Sequence, residues 1–187
     1  MSYGRNFGMR GFENIIRTSR FRVPSTGTAL RIGEPVVVDF ANPGRLMAAT
    51  EALTPSASCG IVVYEHIQNK SDALTTSDDD PYDKVPLGQY AQMIHGAGAK
   101  VWFRNTLAKT LYDGRTRAAF NFVVTSGGGT PTLVADNTWL GKGLVPDGAG
   151  KWRQTDGTTT ADVGGVAWLI IEQVNPSTGL VEARLNF

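Results

Sequence analysis

The closing segment alternates residue by residue, with Val181, Ala183, Leu185 and Phe187 on one side and Glu182, Arg184 and Asn186 on the other. Successive side chains of an extended chain point to opposite faces, so this pattern predicts a half-buried antiparallel strand. The apolar run at residues 166–171 and a turn at Asn175-Pro176-Ser177-Thr178-Gly179 come just before it. With Phe187 on the apolar face, this end of the chain is expected to be tied into a sheet.

Similar signals recur upstream. Residues 34–40 form a β-branched run that stops at Ala41-Asn42-Pro43-Gly44, and residues 59–66 are apolar on both faces for most of their length, which predicts a buried strand. Residues 100–104 and 117–124 read as two further strands that pair with each other, with Asp113-Gly114 as the turn between them. Twenty-two glycines and nine prolines in 187 residues punctuate these short runs. That spacing favours strands and turns over long helices, and the length suits one core. The expected fold is mainly β: a single compact antiparallel β-barrel-like or β-tulip domain.

Two segments stand apart from this pattern. Residues 1–31 hold six of the 18 basic residues (Arg5, Arg10, Arg17, Arg20, Arg22 and Arg31) against the single acid Glu13, with Phe7, Phe12 and Phe21 between them. The reading is an extended basic arm ahead of a domain at 32–187, with Arg5, Phe7, Arg10, Phe12, Arg17, Arg20, Phe21 and Arg22 as partner-binding residues. Guanidinium forks suit a charged surface and rings fill apolar pockets. On this view, deleting residues 1–24 leaves a folded domain that no longer holds its partner. Residues 125–165 carry ten of the 22 glycines, and are expected to form a long loop or hairpin excursion that exposes Trp139 and Trp152 for protein contact.

Residues that could carry catalysis are sparse. The two histidines, His66 and His95, lie at no metal-ligand spacing to each other or to the single cysteine, Cys59. Cys59 and His66 are seven residues apart, an odd offset that turns strand side chains to opposite faces. Asp78, Asp79, Asp80 and Asp83 crowd a polar segment at 69–86 without EF-hand spacing, and read as a solvated loop or a partner for arginines on another subunit. Gly127-Gly128-Gly129 lacks the Lys-Ser/Thr of a phosphate loop, and Gly96-Ala97-Gly98 lacks the third glycine of a dinucleotide fingerprint. A net charge of +1 is not that of a general nucleic-acid binder. Neither a membrane span nor an apolar leader is evident. The expectation is a non-enzymatic protein with no catalytic residues, cofactor, metal, nucleic acid or membrane partner, soluble and cytoplasmic when made.

The arm, Arg31-Ile32-Gly33-Glu34-Pro35-Val36-Val37-Val38, Cys59-Gly60-Ile61-Val62-Val63-Tyr64-Glu65 and the closing Gly179-Leu180-Val181-Glu182-Ala183-Arg184-Leu185 together resemble the head decoration (cement) proteins of tailed bacteriophages. The resemblance implies a β-barrel-like or β-tulip domain on the capsid exterior, often a homotrimer, with the major capsid protein as partner and the arm lying along coat subunits. The excursion at 125–165 departs from the smallest members. A tail-tube or head-completion subunit would show a similar pattern, and a carbohydrate-binding β-module would use Trp139 and Trp152 as platforms.

Overall fold

The computed structural model describes residues 7–10, 16–27, 29–50, 58–63, 84–85, 87–105, 109–110, 114, 116–117, 121–124, 137–155 and 166–187. Within them the fold is almost all β, with one 3-10 turn at Asn137–Trp139 and no α-helix. The strands are β1 Phe7–Arg10, β2 Ile16–Arg22, β3 Leu30–Arg31, β4 Pro35–Val38, β5 Leu46–Ala48, β6 Cys59–Val63, β7 Lys84–Val85, β8 Tyr90–His95, β9 Lys100–Arg104, β10 Lys109–Thr110, β11 Thr116–Arg117, β12 Val123–Val124, β13 Gly143–Pro146, β14 Trp152–Gln154, β15 Leu169–Asn175 and β16 Leu180–Leu185. They form a seven-stranded sheet, β1-β9-β16-β15-β13-β14-β12, a five-stranded sheet, β2-β8-β6-β4-β5, and two short ribbons, β3-β7 and β10-β11.

The five-stranded sheet curls until its two edges meet. Arg22 at the end of β2 bridges Arg45 just before β5, and the Arg22 N–H donates to the Gly44 carbonyl at 2.8 Å. This curl gives the sheet an inside and an outside, both apolar. Val36, Leu46, Val62, Ala91 and Met93 point inward and are closed over by Val23, Leu30 and Val85. Val37, Cys59, Ile61, Val63 and Ile94 point outward onto the seven-stranded sheet. The doubly apolar run of β6 follows directly: every residue from Cys59 to Val63 is buried because its two faces serve two cores.

The larger core is organised around aromatic rings. Phe103 lies 5.4 Å from Phe7, 5.6 Å from Phe122 and 5.9 Å from Trp152; Trp152 lies 6.0 Å from Trp168, which meets Phe187 at 5.3 Å. These tilted and edge-on spacings are the ones aromatic quadrupoles favour. Gly33, at φ 95°, leaves the room this arrangement needs, since a Cβ there would sit 2.8 Å from Phe7 Cγ.

Several strands fall where the sequence reading placed them. The β15–β16 hairpin is antiparallel, and Val181, Ala183 and Leu185 all face the core. Among the described residues, the pairing expected between 100–104 and 117–124 does not form. β9 lies between β1 and β16, β11 pairs β10, and β12 runs parallel to β14. Asn105 holds β12 in that place: its amide donates to the Val123 carbonyl at 3.0 Å and accepts from the Val123 N–H at 3.1 Å, as a neighbouring strand would. The described part of the Gly-rich excursion, residues 137–155, contributes to the sheet, with β13 next to β15 and buried along its length.

The described part of residues 1–31 is woven into both sheets. β1 is an edge strand on β9, and Phe7 is a core residue; β2 pairs β8, and Val23 seals the inner core. Deleting residues 1–24 is therefore expected to abolish the cooperative urea transition, in place of leaving a folded domain. Phe7→Ala in the full chain should cost about 3–5 kcal/mol, whereas a full-length stability for either variant would contradict the placement. Asn105→Leu, which strands the N–H and C=O of Val123, should cost about 2–4 kcal/mol in the same measurement.

Candidate functional site

The ten partner-binding residues expected from sequence scatter. Trp152 is fully buried and Trp139 is 6% exposed, so the expectation of two exposed tryptophans is corrected. The glycines around them serve tight turns, and the apolar rings go to the core. Phe7 is also buried, and Phe21 is half-buried against the inner core. Arg10 lies in β1, and Arg17 and Arg20 in β2, while Arg5 and Phe12 lie outside the described residues. Of the ten, Arg22 is the one whose described side chain is exposed.

Arg22 does not stand alone. Because β2 and β8 are antiparallel with Arg22 opposite Tyr90, and because Arg22 bridges Arg45, these three side chains share the outer face of the seam. Met47, two residues after Arg45, shares that face, since Leu46 between them points inward. Phe40 stands 78% exposed on the turn that delivers Arg45, and Tyr90 is 56% exposed. The turn is rigid. Asp39 accepts from the N–H groups of Ala41 (2.9 Å) and Asn42 (3.1 Å) and from Asn42 Nδ2 (2.9 Å). The Asn42 side-chain hydrogen bond, helped by those backbone N–H groups and nearby Arg45, holds the Asp39 carboxyl below its usual range. Its oxygens are thus committed to the turn. Nothing in the sequence marked Phe40, Arg45, Met47 or Tyr90: Tyr90 meets Arg22 through the β2–β8 pairing, and Phe40, Arg45 and Met47 through closure of the sheet.

A second feature is a buried carboxylate. Glu34 accepts from the Arg31 N–H at 2.7 Å and packs so close to Gly150, at φ 81°, that a Cβ there would lie 2.7 Å from Oε1. Burial pushes its carboxyl up from 4.5 to about 6, opposed by the Arg31 N–H and guanidinium and reinforced by Asp147. The niche joins the β3–β4 turn to the β13–β14 turn, where the Trp152 indole N–H donates to the Gly33 carbonyl at 2.9 Å. A third feature sits at the bulge in β15, where the Glu172 carboxylate takes Lys100 Nζ at 2.8 Å and Arg184 Nε at 2.9 Å. Those hydrogen bonds, Lys100's first, lower the pKa of Glu172. It ties three strands on a partly exposed face, which fits a structural role.

Cys59 is a buried core thiol and His95 closes β8; His66, the Asp78–Asp83 run and Gly127–Gly129 lie outside the described residues. Gly96-Ala97-Gly98 forms the turn by which the chain passes from β8 in one sheet to β9 in the other. No group of three His, Cys, Asp or Glu able to hold a metal occurs among the described residues. Compared with known proteins, the chain matches no family model and no curated protein sequence.

The Glu34 niche carries a pH dependence. The folded chain keeps a proton up to about pH 6 that the unfolded chain releases near 4.5, so this contribution to stability is fully present below the lower value. It is lost as pH rises through the upper one, by about 2 kcal/mol in all. Urea titrations from pH 4 to 7 should show this step in the wild type and not in Glu34→Gln; the same step in both would place the titration elsewhere.

Proposed function

We propose that this chain is a structural virion protein that binds the outer surface of an assembled phage capsid and stabilises it, without catalysis, as a homotrimer made in the host cytoplasm. The observation that carries the reading is the fold. A curled, barrel-like sheet backed by a second sheet is the kind of domain that the resemblance to head decoration proteins implies. Most of its described rings and apolar side chains go into two cores, which suits a rigid part that presents a fixed surface. The carbohydrate-binding alternative called on Trp139 and Trp152 as stacking platforms, and their burial leaves it without those faces.

The physical mechanism is mass action. A protein that binds the assembled lattice and not the free coat subunit shifts the equilibrium toward the lattice, and a trimer adds avidity by engaging several subunits at once. Docking through a folded surface also avoids the ordering cost that a floppy arm would incur on binding.

Native mass measurement combined with co-sedimentation on capsids lacking the protein tests this. A trimer that pellets with the shells and raises their thermal disruption temperature is the expected outcome. A hexameric or larger ring, or a chain that stays in the supernatant, would overturn it.

A further inference from the structure

We infer that the seam of the five-stranded sheet, formed by Arg22, Arg45, Tyr90 and Met47 with Phe40 beside it, is a docking surface for a carboxylate-bearing protein segment. The inference rests on the proposed function for where that segment comes from, an acidic stretch of the coat subunit, but not for its chemistry.

The seam holds two like charges directly abreast. Arg22 and Arg45 are bridge partners on neighbouring strands, both exposed. Like charges placed opposite each other across a sheet are unfavourable, and a local conflict of this kind marks positions kept for a purpose other than stability. The backbone at this point is fixed by the Arg22 N–H to Gly44 carbonyl bond and by the Val23 N–H to Gln89 carbonyl bond at 2.9 Å. The arginines cannot drift apart by a shift of register. Asp39 is the acid on the adjoining turn, and its oxygens are taken by Ala41 and Asn42, so it lowers the local charge without occupying the Arg45 fork. Arg22 makes no ion pair with any described residue.

Charge complementarity selects the occupant. Two arginines at bridge-paired positions offer forks that suit carboxylates, each of which can accept both N–H bonds of a fork. The apolar neighbours select against a bare polyanion: Tyr90, Met47 and Phe40 are exposed, and arginine, tyrosine, phenylalanine and methionine together are the composition of protein–protein contacts. A general nucleic-acid binder would carry a stronger positive charge than this chain's net +1.

The full chain can be titrated at low salt with a fluorescein-labelled peptide of alternating glutamate and leucine, and with a single-stranded oligonucleotide of equal length. Saturable binding of the peptide is expected, weakened about tenfold or more in the double variant Arg22→Glu, Arg45→Glu, with a smaller loss in Arg22→Lys, Arg45→Lys, which keeps the charge and removes the fork. Unchanged near-ultraviolet circular dichroism and melting would show that the exposed substitutions leave the fold intact. Equal peptide binding by wild type and the Glu variant, or tighter binding of the oligonucleotide, overturns the inference. Capsid co-sedimentation of the same proteins separates the two claims. Wild type and Glu variant pelleting equally would sink the seam and spare the capsid reading, whereas a wild type that binds the peptide but no capsid would do the reverse.

Discussion

One buried hydrogen bond ties the seven-stranded sheet to the turn that opens the other, across the core that both sheets share. Trp152 belongs to the seven-stranded sheet, its indole N–H donates to the Gly33 carbonyl on the turn that opens β4, and its ring touches Phe103 on one side and Trp168 on the other. A fully buried indole with no acceptor would cost more than the hydrogen bond itself is worth, so the turn at Gly33 and the position of β14 are set together. The line of rings then runs outward to Phe7 in β1 and to Phe187 just past β16.

From this tie follows the double role of the five-stranded sheet. Where that sheet is pressed on one face against its neighbour and curled over its own interior on the other, as at β4 and β6, no polar face is left, and these strands are apolar at nearly every position. Polar and charged residues are pushed to the seam and the turns. There the curl sets Arg22 against Arg45, so the same closure that completes the inner core also assembles the exposed basic and aromatic surface.

Strand identity was legible wherever one local rule sufficed. Alternation in residues 181–185 identified β16, and an unbroken apolar run identified β6, because burial on one face or two leaves a periodic mark. Pairing was not legible: β9 and β12 were read as hairpin partners, but β9 took β1 and β16, which are distant in sequence, and a buried Asn105 replaced the missing neighbour of β12. The N-terminal aromatics misled for a related reason. An apolar residue among arginines looks the same in sequence whether its pocket lies in this chain or in a partner, and for Phe7 the pocket is in this chain. Glycine density around Trp152 was read as looseness, whereas Gly148 and Gly150 supply the positive φ angles of a tight turn between two core strands. The seam was invisible because Arg22, the Phe40–Met47 stretch and Tyr90 are far apart in sequence and meet through long-range pairing and closure.

The shared core and the Trp152 hydrogen bond should make the two sheets one cooperative unit, and hydrogen exchange of the Trp152 indole proton read beside backbone amides tests that most directly. The indole proton and the amides of Val62 in the curled sheet and Ala183 in the seven-stranded sheet should exchange with the same free energy, equal to that of global unfolding. If the indole proton and the Val62 amide exchanged through a lower-energy opening while Ala183 stayed protected, the sheets would be separable units and the tie through Gly33 would not be what holds them together.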